Sequence, residues 1–277
     1  MKKYVMMILL GISIVGIILT IAFVVSKTSK NTIRFEDVNL EYVIREASGS
    51  TSKRVSVTQG ESITELDASN RGIKNLKGIE KLSNLTKLKL EGNEIKDVSP
   101  LSKLTKLEEL DLDSNGIISL EGVKLDTLKD LPNLKKLSLE NNSRIKEEED
   151  EIKLSEIVML GKLTKLEELK LKGNDIKDIS PLGNLNNLRE LDLSENKITN
   201  ESIGTLAGLT GLEKLNLREC DIKDISYVEN LSNLVYLNIH SNVNIKSIMP
   251  VAKLTRLQSL IMRNVPVGDQ INALENL

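Results

Sequence analysis

The chain has one cysteine, one histidine, no tryptophan, two phenylalanines and four tyrosines in 277 residues. A single cysteine, Cys220, excludes an intrachain disulfide and leaves the redox compartment unmarked. A single histidine, His240, excludes a multi-histidine metal centre, and any Ser-His-Asp arrangement would have to run through it. No serine stands near it in a nucleophile elbow. Gly161-Lys162-Leu163 lacks both the Ser/Thr and the upstream glycine of a phosphate-binding loop. The net charge of −2 gives no argument for nucleic acid or for an anionic surface as partner. The sequence therefore points away from catalysis, and no cofactor, metal or nucleic acid is expected.

What is abundant is leucine at fixed spacing. The cleanest copy runs Leu85, Leu88, Leu90, Asn93, Ile95, Val98, Leu101, Leu104. The pattern restarts at Leu107, Leu134, Leu166, Leu188, Leu212, Leu234 and Leu257, with spacings of 22, 27, 32, 22, 24, 22 and 23 residues. A period of this size marks a leucine-rich-repeat solenoid of about nine coils. Within each copy, Leu88 and Leu90 alternate with Lys87, Lys89 and Glu91, the period of a strand. Beyond Asn93 the apolar spacing lengthens to that of a turn and a short 3₁₀ segment. Ser99-Pro100 and Ser180-Pro181 would open that segment, with serine as cap and proline at the first position. One coil alone buries too little apolar surface to offset its ordering entropy; stacking buries both faces of each leucine layer.

Asn93, Asn115, Asn142, Asn174, Asn196 and Asn242 fall at one repeat position, which Cys220 takes in its own copy. Inward-facing amides at a turn would form a hydrogen-bonded ladder, because leaving them unsatisfied is costly. Cys220 is read as a core member of that column rather than a nucleophile.

On these residues the chain resembles the internalin-type leucine-rich repeats. The segment Phe35 to Arg45, followed by Ile63 to Ser69 and Gly72-Ile73, is similar to the cap that precedes such repeats. Independently, Leu40, Val43, Ile44 and Ala47 make an amphipathic helix, with Asp37 or Asn39 at its start and Gly49 at its end. The resemblance implies an α/β fold: a curved, right-handed leucine-rich-repeat solenoid with parallel strands on the concave face. It places 3₁₀ or short helical segments on the convex face and a helical cap at the N-terminus. It also implies recognition of proteins or surface ligands. The repeats starting at Leu107 and Leu134 are long for the pattern, no immunoglobulin-like module follows, and the concave face lacks the aromatics of the family's best-known binders.

Met1-Lys2-Lys3 precedes 23 uncharged residues, Tyr4 to Ser26. As a helix they span ~34 Å, enough for a bilayer. The run exceeds a usual signal-peptide core and has no clear cleavage site. The expected organisation is a transmembrane signal anchor over residues 1–26, a linker over 27–33, a cap over 34–62 and repeats over 63–277. The repeats would lie outside the cell membrane on a single-pass anchor, or be secreted after cleavage. Ala273 to Leu277 resembles the start of a further repeat, equivalent to Leu82 to Leu85, unless Asp269 to Leu277 closes the end as a short helix.

Outward strand positions define the candidate contact surface. By formal charge the first four triplets carry −4 and the last three +3, so a face polarised along the solenoid is expected. Arg218, Tyr236, Asn238, His240, Ile261 and Arg263 bring an aromatic, an aliphatic and arginines together, the residue types of interface hot spots. Glu109, Asp111 and Asp113 form an acidic cluster, read as a solvated patch rather than a calcium site. Glu147 to Glu151 open an insertion expected to lead into a helix over Ile152, Ile157, Val158 and Leu160. The leading functional reading is a non-catalytic module whose concave face binds a protein, or a glycan, outside the cell membrane. The alternatives are a cell-envelope scaffold acting on partners in the same membrane and a cytosolic regulatory repeat protein.

Overall fold

The structure is a computed structural model that describes residues 31–117, 125–142 and 154–274. The expected anchor over residues 4–26, most of the linker, Glu147 to Glu151 and Leu277 lie outside the described residues. Among the described residues, no helix is long and apolar enough to cross a membrane.

Nine strands form one parallel sheet in sequence order: β1 (Glu65–Asp67), β2 (Lys87–Lys89), β3 (Glu109–Asp111), β4 (Lys136–Ser138), β5 (Glu168–Lys170), β6 (Glu190–Asp192), β7 (Lys214–Asn216), β8 (Tyr236–Asn238) and β9 (Ser259–Ile261). Each strand brings one leucine into register with the next, from Leu66 through Leu88, Leu110, Leu137, Leu169, Leu191, Leu215 and Leu237 to Leu260. Leu88, Leu110, Leu137, Leu169 and Leu191 are all 0–1% exposed. The aliphatic layers that repeat in sequence therefore stack in space as one column. The strands are short, but backbone pairing runs past them: Leu90 and Gly92 N–H donate to the carbonyls of Asp111 and Asp113.

One residue per coil then turns the chain with positive φ: Asn70, Gly92, Ser114, Asn141, Gly173, Glu195, Glu219, Ser241 and Asn264. Two of the nine are glycine, so the position is set by the stacking of coils rather than by local preference. At Gly92 and Gly173 a Cβ would also run into the amides of Asn70 and Asn141 one repeat back.

The far side of each coil carries 3₁₀ segments, among them Ser99–Lys103, Ser180–Asn184, Ser226–Asn230 and Met249–Lys253. Proline opens three of them. The serine is not the cap. Its backbone N–H donates instead to the carboxylate two residues earlier: Ser99 to Asp97, Ser180 to Asp178 and Ser226 to Asp224, at 2.8–2.9 Å. A 3₁₀ start leaves the serine side chain badly placed for the next N–H, and the Asx turn takes over the role.

The N-terminal end is closed by α1 (Val38–Ala47) and the single-turn α2 (Val57–Glu61). Leu40, Val43 and Ile44 are buried against the first coil. Asp37 does two jobs. One oxygen caps α1 through the N–H groups of Asn39 and Leu40, and the other accepts from Lys74 and Asn75 in the first repeat. Burial alone would raise its pKa, but these four N–H groups hold it below the usual value. In the longest repeat, α3 (Leu154–Leu160) buries Ile157 and Leu160 and leaves Val158 exposed. It ends at Gly161, where a Cβ would clash with the Pro181 carbonyl of the next repeat. A further turn, α4 (Asn200–Ile203), occupies the repeat that starts at Leu188.

At the other end, Gly268–Leu274 is 3₁₀. Gln270 fastens it to the preceding coil, accepting from the Ile248 N–H at 2.9 Å and donating to the Lys246 carbonyl. Leu257, Leu260 and Met262 are only partly buried there, because no coil follows them among the described residues.

Candidate functional site

The asparagine column lies inside the turn that leaves each strand. Asn93 Oδ1 accepts from the Arg71 and Ile73 N–H groups, while its Nδ2 donates to the carbonyls of Ala68 and Leu90. Asn115, Asn142, Asn174, Asn196 and Asn242 bond in the same sense and are 0–3% exposed. Each amide thus ties its own coil to the one before. Cys220 keeps the donor half, with its thiol 3.0 Å from the Leu193 carbonyl. Where the other repeats offer an amide oxygen, it offers only a weakly accepting sulfur to the Asn196 N–H. Burial pushes the thiol pKa up to about 12, so it is inert as a nucleophile at neutral pH.

The outward face is a zipper of cross-strand ion pairs. Lys87 meets Glu109 at 2.6 Å, Lys136 meets Glu168 at 3.0 Å and Lys214 meets Glu190 at 2.9 Å. Lys170 adds a second ammonium to Glu168 at 2.9 Å. Burial works against the Glu168 carboxylate, yet Lys170 and Lys136 hold its pKa below the usual value. In-register stacking makes this possible, since neighbouring strands place opposite charges side by side.

The expected positive excess toward the C-terminal end is reduced by the turn residues. Arg218 is held at 3.0 Å by Glu195 and at 2.7 Å by Glu219, two carboxylates that outward strand positions alone do not count. Arg218 is therefore paired within the fold by two carboxylates. Asn238 is also a correction. It lies on the outward face but is 7% exposed, and its Oδ1 accepts from the His240 N–H. Asp67, Asp111, Asp192 and Asn216 do the same for the residue two ahead. This column is an Asx turn that ends the strand, a local bond that leucine spacing does not reveal.

Tyr236, His240, Ile261 and Arg263 remain, together on β8 and β9 and the turns that follow. None makes an ion pair among the described residues. Ile261 is 36% exposed. Tyr236 forms a wall of a shallow hollow of about 300 Å³ with Glu190, Asp192, Lys214 and Asn216. The His240 Nε2 lies 3.2 Å from the Ser241 hydroxyl, while Nδ1 is buried without a partner. A serine thus stands beside the histidine after all, but no carboxylate orients the ring.

The acidic cluster is dispersed by its own bonds. Glu109 is paired with Lys87, Asp111 accepts from the Asp113 N–H, and Asp113 accepts from the Glu140 N–H at 2.6 Å. Burial raises the pKa of Asp113, and the Asp111 and Glu91 charges add to the effect. Burial likewise raises Glu140, helped by Asp113 and Asp192. No group of three or more ligating side chains that could hold a metal ion occurs among the described residues.

Parallel strands in register, an inward asparagine column in six coils and 3₁₀ backs define a leucine-rich-repeat solenoid. Two leucine-rich-repeat family profiles match, one described as "Leucine Rich repeats (2 copies)" over residues 61–103 and 83–124, the other as "Leucine rich repeat" over residues 164–222. Among solved structures, an internalin C2 from Listeria monocytogenes is 30% identical with a TM-score of 0.71, covering 82% of this chain and 94% of that one. A second Listeria monocytogenes internalin, InlF, is 28% identical with a TM-score of 0.54, covering 88% of each chain. A leucine-rich-repeat protein of Leptospira interrogans shares the fold at 24% identity and a TM-score of 0.63, covering 80% of this chain and 60% of that one. No curated protein matches significantly. The chain belongs to the internalin family of leucine-rich-repeat proteins.

Proposed function

We propose that the chain is a non-catalytic recognition module, held by residues 4–26 in the cell membrane with its repeats outside. It would bind a protein partner on the concave strand face around Tyr236, His240, Ile261 and Arg263. One observation carries this reading. On the earlier strands Lys87, Lys136 and Lys214 are paired with Glu109, Glu168 and Glu190, whereas these four side chains make no ion pair among the described residues and lie in one place. A tyrosine, an aliphatic and an arginine at one spot are the residue types that dominate interface energetics. Substituting Tyr236 and Ile261 by Ala should abolish capture of the partner on intact cells while leaving thermal stability within about 1 kcal/mol. Undiminished capture by that double variant removes the site.

The scaffold reading has one observation in its favour. A face neutralised by its own ion pairs suits a structural element of the envelope better than a sticky adhesin. Protease shaving of intact cells tests the display shared by both readings, and retention of the repeats after shaving would contradict it.

A further inference from the structure

The rim ahead of the strands carries a second asparagine column. Asn84, Asn133, Asn187 and Asn233 each donate Nδ2 to a carbonyl of the preceding repeat, those of Glu61, Thr105, Thr164 and Thr210, at 2.7–2.9 Å. The repeats between and after them place Lys106, Lys165, Gly211 and Arg256 at the same position. Lys106 donates back to Asn84 Oδ1 and Arg256 to Asn233 Oδ1, both at 2.7 Å. Gly211 has no side chain to offer Asn187, and the rim is open there as a hollow of about 340 Å³.

The backbone does not call for this glycine, because Gly211 is not among the residues with positive φ. A Cβ would meet only the carbonyls of Leu188 and Asn186, at 3.3 and 3.5 Å. What the missing side chain does is leave the hollow unfilled. Two guanidinium groups converge on it from opposite sides. Arg189 reaches one repeat forward to Glu213 at 2.6 Å, and Arg256 reaches one repeat back to Asn233. Both retain donors, since a guanidinium has about five N–H groups in a planar fork that matches a carboxylate. The Arg189–Glu213 pair is well solvated, with side chains 64% and 40% exposed, so it yields readily to a competing anion.

We propose that this hollow is an anion-binding site that seats a single carboxylate, an acidic side chain of a partner protein, between Arg189 and Arg256 over Gly211. The two arginines and Glu213 leave one positive formal charge in the lining. That balances a monoanion, while Glu213 opposes a dianion such as phosphate. The site lies on the rim and is independent of the reading of β8 and β9.

The test uses the full chain in detergent micelles, titrated with a fluorescein-labelled hexaglutamate peptide. Saturable binding should weaken roughly tenfold or more in Arg256→Gln, the size expected for losing a charge-assisted hydrogen bond. It should weaken likewise in Gly211→Asn, which restores the side chain that Asn187 and Asn233 carry. Glu213→Gln should tighten it, and Tyr236→Ala should leave it unchanged. If Gly211→Asn melts early, Arg256→Gln decides alone, because that side chain lies on the surface. No binding by the unmodified chain, or binding by Arg256→Gln as tight as that of the unmodified chain, overturns the proposal. So does displacement of the peptide by inorganic phosphate at concentrations where acetate has no effect, which would make the site one for phosphate.

Discussion

The first seven strands and the last two share one backbone and use their surfaces in opposite ways. Between β2 and β7 outward lysines and glutamates bridge three strand pairs, β2–β3, β4–β5 and β6–β7, and the leucines beneath them are sealed by coils on both sides. On β8 and β9 the bridges stop, the outward residues are tyrosine, asparagine, serine and isoleucine, and the last leucine, Leu260, is only partly buried. A repeat stabilised by two neighbours can settle its surface charges within the fold. On β8 and β9 the same positions carry no such pairs among the described residues, and the proposed recognition face uses them.

Core truncation should separate the two regions most strongly. Leu169→Ala in β5 removes a side chain that is 0% exposed and should cost about 3 kcal/mol, whereas Leu260→Ala in β9 should cost about 1 kcal/mol. Denaturant unfolding checks both, and equal losses would erase the distinction. The amide ladder gives a smaller effect. Asn174→Ala strands the Asn142 N–H and the Leu139 carbonyl, while Leu171 keeps its bond from Asn196, and should cost about 2 kcal/mol. At the junction of the two regions, Cys220→Asn should add about 1 kcal/mol by restoring an amide oxygen to the column. A lower melting temperature for that variant would show that the site cannot accept the larger side chain.

The smallest effect is one of pH. Asp113 and Glu140, on the earlier strands, have pKa values raised chiefly by burial above their ordinary 3.8 and 4.5. A carboxyl whose pKa rises on folding is stabilising while protonated, and that contribution is lost as pH rises through the folded pKa. Asp113→Asn should therefore stabilise the chain at pH 7 and make its stability less dependent on pH as pH rises above the ordinary carboxylate range. Asp37 runs the other way, since its lowered pKa makes its contribution disappear on acidification. An Asp113→Asn chain with an unchanged pH profile would mean that the carboxyl is solvated and the face less sealed than described.

Much of the fold was legible in the sequence, because aliphatic spacing reports which side chains face inward. Leu88 and its counterparts, the asparagine column and the face of α1 buried through Leu40, Val43 and Ile44 all follow from period alone. Bonds between side chains and nearby backbone were not legible. The Asx turns of Asp97, Asp178 and Asp224, the strand-ending role of Asn238 and the left-handed turn residues depend on local geometry that many residue types satisfy. The pairing of Arg218 was not legible for a related reason. Its partners Glu195 and Glu219 sit in turns, outside the strand register from which the surface charge was summed. The rim around Gly211 was missed because a glycine in a variable column carries no signal until its neighbours are seen reaching toward it.

Site-specific photocrosslinking on intact cells tests the central claim most directly, with a photoreactive residue placed in turn at positions 236, 261, 89 and 103. Adducts to one partner should form from 236 and 261, but from neither 89 on the earlier part of the strand face nor 103 on the 3₁₀ side. Equal adducts from 89 or 103, or none from 236 and 261 while the partner is still captured, would contradict recognition by the last two strands.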